Sequence, residues 1–313
     1  MNPIPKRWTG IAYGSESEGI MKQPRMFRSI EPYLYILPTA IGLILFSAGA
    51  VVASFIVSFT RWDIVSPPEW VWIENYVNLW HSELFWEVFR NTLYFVILAV
   101  PLSIVCSLAL ALLVNTGVRG ITFFRTAYFL PVVSSMIAVA LVWSWIFNPE
   151  YGLLNYLLRV LFGVQGPAWL DSTSWALPAM VIVTVWKGLG YSMVIFLAGL
   201  QNIPLDLYHA ATIDGAGMWR RFRHITLPML SPTTFFILVI TLINAFQVFE
   251  QTYVLTKGGP ANSTLTLSYY IYQNAFQFFQ MGKATALSYV LFAIIFTVTL
   301  VQFRIQKRWV FYG

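Results

Sequence analysis

The chain has 313 residues, of which 58% are hydrophobic and 10% charged, and its mean hydropathy is +0.67. This composition excludes an ordinary soluble domain and is typical of an integral membrane protein. The formal net charge of +6 comes from basic residues scattered between apolar stretches. No basic stripe alternates with aromatics that stack on bases, so the sequence predicts no nucleic-acid partner.

The first 32 residues are polar and carry five basic residues, and we predict that they form a cytoplasmic leader. The next stretch is apolar and extends from Tyr33 to about Thr60. It is too long for the core of a secretory signal, so the pattern indicates a retained membrane anchor.

Six apolar stretches are long enough to cross a bilayer as helices. They lie near residues 33–60, 89–115, 122–147, 176–200, 231–256 and 284–305. The prediction is an all-α membrane protein whose six transmembrane helices form one domain, residues 33–305, followed by a short cytoplasmic tail, 306–313. Pro101, Pro131 and Pro178 lie within or near these stretches, where we expect kinked helices.

The basic residues predict the orientation of the helices. Most of the 19 Lys and Arg fall in the segments that would share one side of the membrane. These residues are Lys6, Arg7, Lys22, Arg25, Arg28, Arg119, Arg125, Arg220, Arg221, Arg223, Arg304, Lys307 and Arg308. Because cytoplasmic loops are enriched in Lys and Arg, both termini and the 201–230 loop are predicted to be cytoplasmic.

The sequence contains no motif that would supply energy or catalysis. It lacks a G-x-x-x-x-G-K-[ST] phosphate-binding loop and paired catalytic carboxylates, so we expect no enzyme and no bound cofactor. The single Cys106 and three dispersed histidines predict no metal site. An ion-coupled carrier would need buried acids, and only Glu250 lies near a suitable position.

The loop at about 205–230 is the most polar predicted cytoplasmic segment. It contains Y-H-A-A-T-I-D-G-A-G-M-W-R-R, beginning at Tyr208. Two short helices are predicted around a turn at Asp214 and Gly215, because glycine adopts positive φ without steric cost. The small Ala210, Ala211 and Ala216 would allow another surface to approach closely. The alternatives are a solvated basic loop and lipid-headgroup contacts by its arginines.

Polar side chains recur at helical spacing in two predicted spans. Thr184, Lys187, Gly188 and Tyr191 share one helix face, and Asn244, Gln247 and Gln251 have the same spacing. Such faces point inward in a membrane protein. The candidate substrate path therefore contains Lys187, Gly188, Tyr191, Asn244, Phe246 and Gln247. The alternatives are that the amides only join helices, and that Lys187 snorkels or pairs with Glu250.

Three motifs together resemble the permease subunits of binding-protein-dependent ABC importers, in their maltose-type first-subunit branch. They are A-G-L-Q-N-I-P at 198–204, A-A…D-G-A in the loop, and V-L-T-K-G-G-P at 254–260. The resemblance implies a type I importer permease fold in a bacterial or archaeal cytoplasmic membrane. It also implies that sugar contacts occur at Gly188, Tyr191 and Asn244.

The same resemblance implies that the loop is the surface that an ATPase subunit grips. The implied docking residues are His209, Ala210, Ala211, Asp214, Gly215, Ala216 and Arg220. His209 departs from the glutamate that the family usually has. The implied partners are a second permease, two ATPases that bind ATP and Mg, and an extracytoplasmic solute-binding protein. A sugar is the expected cargo; a polyol, a glycerol-phosphate-type anion or ion-coupled transport are alternatives.

Overall fold

The computed structural model describes residues 25–115 and 121–311 of the chain. Residues 1–24 of the predicted leader lie outside the described residues. The first helix begins at Arg25, so the end of the predicted leader is already helical. The chain divides into two compact units, Met1–Ala53 and Ser54–Gly313.

The N-terminal helical segment is apolar, and it extends past Ala53, the last residue of the first unit. Helix α1, Arg25–Gly42, continues through a π-helical turn, Leu43–Ala48, into α2, Gly49–Val57. The segment Tyr33–Val57 has 25 residues and a mean hydropathy of 2.5, enough to cross a membrane. It corresponds to the first predicted span.

Among its described residues, the second unit contains helices, loops and a small antiparallel pair of strands, β1 Thr60–Arg61 and β2 Glu69–Trp70. Its helices are α3 Glu74–Trp80, α4 Glu83–Val114, α5 Ile121–Val133, α6 Met136–Ile146, α7 Leu153–Phe162, α8 Ala176–Gln201, α9 Leu205–Ile213, α10 Met218–Arg221, α11 Leu227–Met229, α12 Ser231–Phe246, α13 Leu267–Tyr272 and α14 Met281–Gln306. Further π-helical turns occur at Phe222–Thr226, Thr252–Thr256 and Gln273–Gln277.

Within the described residues, four helical segments are long and apolar enough to span a membrane alone, and six are counted if each bent helix pair is one span. The predicted spans at 89–115, 176–200 and 284–305 correspond to the unbroken helices α4, α8 and α14. Pro101 lies inside α4 without ending it. The all-α membrane architecture is therefore confirmed.

Two buried clusters define the relative directions of the helices. One joins Val88 and Leu177, near the starts of α4 and α8, to Phe246 at the end of α12. The other joins Val114 and Leu200, at the opposite ends of α4 and α8, to Leu230 at the start of α12. Thus α4 and α8 run in the same direction and α12 runs back, as an alternating arrangement of spans requires.

The third predicted span is not one kinked helix. Its two halves, α5 and α6, meet at an angle of 103°. The Ser134 hydroxyl donates to the Leu130 carbonyl at 3.0 Å, and Ser135 adopts an extended conformation before α6. Serine side chains that bond to the backbone compete with helical hydrogen bonds, which explains a break just after Pro131.

The fifth predicted span, 231–256, is also interrupted. Helix α12 ends at Phe246, and helical structure resumes only at Glu250. The expected single face of Asn244, Gln247 and Gln251 is therefore distributed over two helical segments. The sequence provides no proline or glycine at this point that would end the helix.

Glycine permits the closest helix contact around α8. A Cβ added at Gly190 would overlap the Tyr128 carbonyl oxygen of α5, whereas a Cβ added at Gly188 would meet nothing within 4 Å. Small residues let membrane helices approach in this way. The contact fixes α5, with its broken end, against α8.

We predict that Gly190→Ala destabilises the folded protein by about 1–3 kcal/mol, because backbone atoms must move apart. Gly188→Ala is the matched control, since both changes replace a helical glycine and gain the same intrinsic helix propensity. Thermal unfolding of the detergent-solubilised protein measures the difference. Equal melting temperatures for the two variants would contradict the close approach.

Candidate functional site: a helical hairpin and a central cleft

The 205–230 loop folds as a helical hairpin, defined here as residues 205–230. Helix α9 ends in a Schellman motif. The Ala216 N–H donates to the Ala211 carbonyl at 2.8 Å, and the Gly215 N–H donates to the Thr212 carbonyl at 3.1 Å. Gly215 has φ +72°, which confirms the sequence argument for glycine at the turn.

Side chains hold the returning arm of the hairpin against α9. The Tyr208 hydroxyl lies 2.9 Å from Thr226 Oγ1, and Thr226 is buried. Arg221 donates to Thr212 Oγ1 at 3.1 Å. These bonds give the hairpin a defined shape without a large core, which suits a surface that another protein contacts.

Most of the predicted docking residues are accessible. His209, Ala210, Asp214, Gly215 and Arg220 are exposed. Ala211 and Ala216 are half-buried, consistent with their role in closing the turn. The structure thus brings the predicted set to one end of the hairpin.

Three apolar side chains at the same tip are exposed but were not among the predicted docking residues. Ile213 is 87% exposed, Met218 82% and Trp219 69%. They flank the D-G-A turn in sequence. Large apolar residues in an otherwise polar loop could have indicated them as contact residues. Adjacent exposed apolar side chains are typical of a surface that a protein partner covers.

The second candidate site is a cleft of about 510 Å³ between α4, α8 and the interrupted fifth span. Five of the six predicted substrate-path residues line it: Lys187, Gly188, Tyr191, Asn244 and Gln247. The interruption at Gln247 turns the chain along the cleft wall, so Gln251 also reaches it. Ser103, Thr241 and Phe249 also line the cleft and were not among the predicted residues, although Thr241 lies three residues before Asn244 on the same helix face.

Phe246, the sixth predicted residue, is absent from the lining of this cleft. Its side chain is 3% exposed and packs in the core with Val248 and Leu267. The prediction for Phe246 therefore needs correction. Phe249 lies in the cleft instead, because the break after Phe246 rotates the next residues away from the helical pattern.

Lys187 is half-buried in the cleft, and its ammonium group donates to the Val132 carbonyl at 3.5 Å. Val132 lies in the last turn of α5, where carbonyls lack intrahelical partners. The break in the third span therefore supplies a partner for the lysine. Glu250 lines the same cleft, but within the described part of the chain the ion pairs all involve Arg61.

The cleft offers groups suited to a hydroxyl-rich ligand. The Tyr191 ring is 46% exposed, and Asn244 and Gln247 are exposed beside it. Amides donate and accept hydrogen bonds, and an aromatic face packs against C–H groups. Across residues 25–115 and 121–311, no group of His, Cys, Asp and Glu is arranged to hold a metal ion.

Comparison with known proteins shows the family of the chain. Residues 89–310 match the family described as binding-protein-dependent transport system inner membrane component. The probable ABC transporter permease protein YesP of Bacillus subtilis is 37% identical over 93% of this chain and 96% of its own length. The sulfoquinovosyl glycerol transport system permease protein SmoG of Agrobacterium fabrum is 37% identical over 88% and 89%.

A solved structure shows the same architecture. It is a crystal structure of a bacterial ABC transporter involved in the import of the acidic polysaccharide alginate. It superimposes with a TM-score of 0.80 at 26% identity, covering 91% of this chain and 99% of that one. The chain belongs to the family of binding-protein-dependent transport system inner membrane components and is a membrane permease subunit of an ABC importer.

Proposed function

We propose that this permease forms half of the translocation path for an oligosaccharide or related sugar. The central cleft carries the proposal, because it combines the Tyr191 ring with the amides of Asn244 and Gln247. A second permease subunit supplies the other half of the path. An extracytoplasmic binding protein delivers the cargo at the outer end of the helices. The relatives with sugar cargo support this assignment.

The energy for transport comes from two partner ATPases that bind ATP and Mg. The helical hairpin is their docking surface, with the exposed Ile213, Met218 and Trp219 around the Gly215 turn. This arrangement separates the ATPase contact from the cargo cleft, so the two can be tested independently. With ATP hydrolysis as the energy source, this proposal is preferred to an ion-coupled carrier.

The docking role predicts the effect of a charge at the turn. Gly215 has φ +72°, so a substitution strains the turn, but Asp tolerates this region better than most residues and a side chain there meets nothing within 4 Å in this chain. Gly215→Asp should therefore still insert and fold. It should reduce ATPase co-purification and uptake roughly tenfold or more, because an interface would bury an unpaired charge. Affinity purification of the assembled complex and vesicle uptake measure both effects.

Gly163→Asp is the matched control. Gly163 also lies at the C-terminal end of a helix, here α7, has φ +65° and has open space around it. It should retain the ATPases. Equal retention by the two variants would contradict docking at the hairpin.

The distribution of basic residues supports a cytoplasmic hairpin and cytoplasmic termini. In a Cys106→Ser background, Ile213→Cys should resist membrane-impermeant thiol reagents in intact cells and react after permeabilisation. Gln165→Cys, in the exposed segment after α7, should react in intact cells. The opposite labelling pattern would reverse the proposed orientation.

The cleft assignment predicts that Tyr191→Ala and Asn244→Leu each reduce uptake several-fold. Each lost sugar contact corresponds to about 1 kcal/mol. Basal ATP hydrolysis by the complex should persist, because neither change touches the hairpin. Uptake in vesicles and ATP hydrolysis on the same preparation measure the separation.

Tyr156→Ala is the control, since Tyr156 is an exposed tyrosine on α7 outside the cleft. Normal uptake by both folded cleft variants would show that their side chains only join helices.

Lys187 favours a second candidate cargo, an anionic sugar or glycerol-phosphate-type molecule. In the same assay, Lys187→Gln should selectively reduce the uptake of acidic cargo if that alternative is correct.

A further inference from the structure

The V-L-T-K-G-G-P motif belongs to a segment that connects the outer end of the helices to the cleft wall. We name residues 254–268 the strap. Ala261 and Ser263 of the strap border an outer cleft beside Asn91 of α4. The other end of the strap runs past Val248, which lines the central cleft. The strap therefore touches both places that cargo would pass.

Two strap hydroxyls meet backbone carbonyls at the interruption of the fifth span. The Thr266 hydroxyl donates to the Val248 carbonyl at 3.0 Å, and the Ser268 hydroxyl donates to the Phe246 carbonyl at 3.4 Å. The hydroxyl oxygens of Thr252 and Thr266 are 3.2 Å apart. Because the single hydroxyl proton of Thr266 is donated to the Val248 carbonyl, Thr252 is the donor in this second bond. Thr266 and Thr252 are both fully buried.

The strap is itself fixed to α4. The Asn91 side chain donates to the Asn262 carbonyl at 2.8 Å. The Leu267 N–H donates to the hydroxyl of buried Thr92 at 2.9 Å. Because α4 is an unbroken helix of 32 residues, it gives the strap a rigid support.

A carbonyl that leaves a helix and is buried needs another partner, and Val248 is 4% exposed. At Val248 that partner is a single threonine hydroxyl. If the hydroxyl were removed, the interrupted stretch would lose the bond that holds it apart from α12. Gln247 and Gln251, on either side of Val248, would then lose their fixed positions in the cleft.

We propose that Thr266 is a positioning residue: its buried hydroxyl holds the interrupted stretch Gln247–Phe249 against the strap and so sets the cargo-facing wall of the cleft. This inference rests on the proposed function for its effect on transport. Its structural part concerns only this chain.

Thr266→Val tests the role, because valine keeps the shape and removes the hydroxyl. In the importer complex assembled in lipid nanodiscs, amide hydrogen exchange within residues 247–253 should accelerate roughly tenfold. Exchange within 205–230 should not change. Stimulation of ATP hydrolysis by the cognate binding protein, used as purified with its bound sugar, should fall roughly tenfold, while basal hydrolysis of MgATP persists.

Thr285→Val is the matched control, since the Thr285 hydroxyl bonds only to carbonyls of its own helix, Met281 and Gly282. Thr266→Ser keeps a hydroxyl and should restore both readouts. If Thr266→Val does not accumulate, Ser268→Ala removes the neighbouring hydroxyl, and a smaller change in the same direction is expected.

Unchanged exchange at 247–253 relative to Thr285→Val would overturn the proposal. Accelerated exchange with normal stimulation would also overturn it, because the wall would then not matter for transport. Failure of the proposed function is distinguishable: the wild-type complex would itself show no stimulation by the binding protein, while the exchange comparison would still test the role of Thr266.

Discussion

Every backbone carbonyl that leaves a helix within a membrane protein must find a new partner, because hydrocarbon provides none. In this chain, side chains bond to carbonyls at two interruptions of the predicted spans. The third span bends where Ser134 takes the Leu130 carbonyl and Lys187 takes the Val132 carbonyl. The fifth span is interrupted where Thr266 takes the Val248 carbonyl. Val132 and Val248, which lie at the two breaks, line the same cleft. The side chains that bond to their carbonyls therefore also help to shape the cleft.

The unbroken helices provide the frame for these irregular segments. Helices α4 and α8 pack along their length through two buried clusters. The tight approach at Gly190 presses α5 onto α8 and brings the carbonyl of Val132 within reach of Lys187. A buried lysine would otherwise be costly. The close packing at Gly190 therefore helps to place the carbonyl that accepts the hydrogen bond of Lys187.

The helical hairpin is built differently from the cleft. Its shape comes from local rules: a Schellman turn at Gly215 and a few hydrogen bonds between its arms. Its tip carries the exposed apolar side chains of Ile213, Met218 and Trp219. Its base joins the core through Leu230, which packs with the ends of α4 and α8. The base of the hairpin is therefore packed against α4 and α8, the helices that also line the cleft.

The sequence by itself determined the features that depend on composition and short-range geometry. Apolar length predicted the spans that are continuous helical segments, and the D-G-A turn predicted a glycine with positive φ at Gly215. Helical spacing correctly grouped Lys187, Gly188 and Tyr191, because α8 is a regular helix throughout.

Tertiary structure alone decided the direction of the side chains beyond a helix break. Phe246 lies in the core and Phe249 in the cleft because the fifth span stops being a helix between them. At that stop the Val248 carbonyl accepts a hydrogen bond from the hydroxyl of Thr266, eighteen residues further along the chain. A periodicity argument assumes a continuous helix, and it fails where a distant side chain replaces the local hydrogen bond.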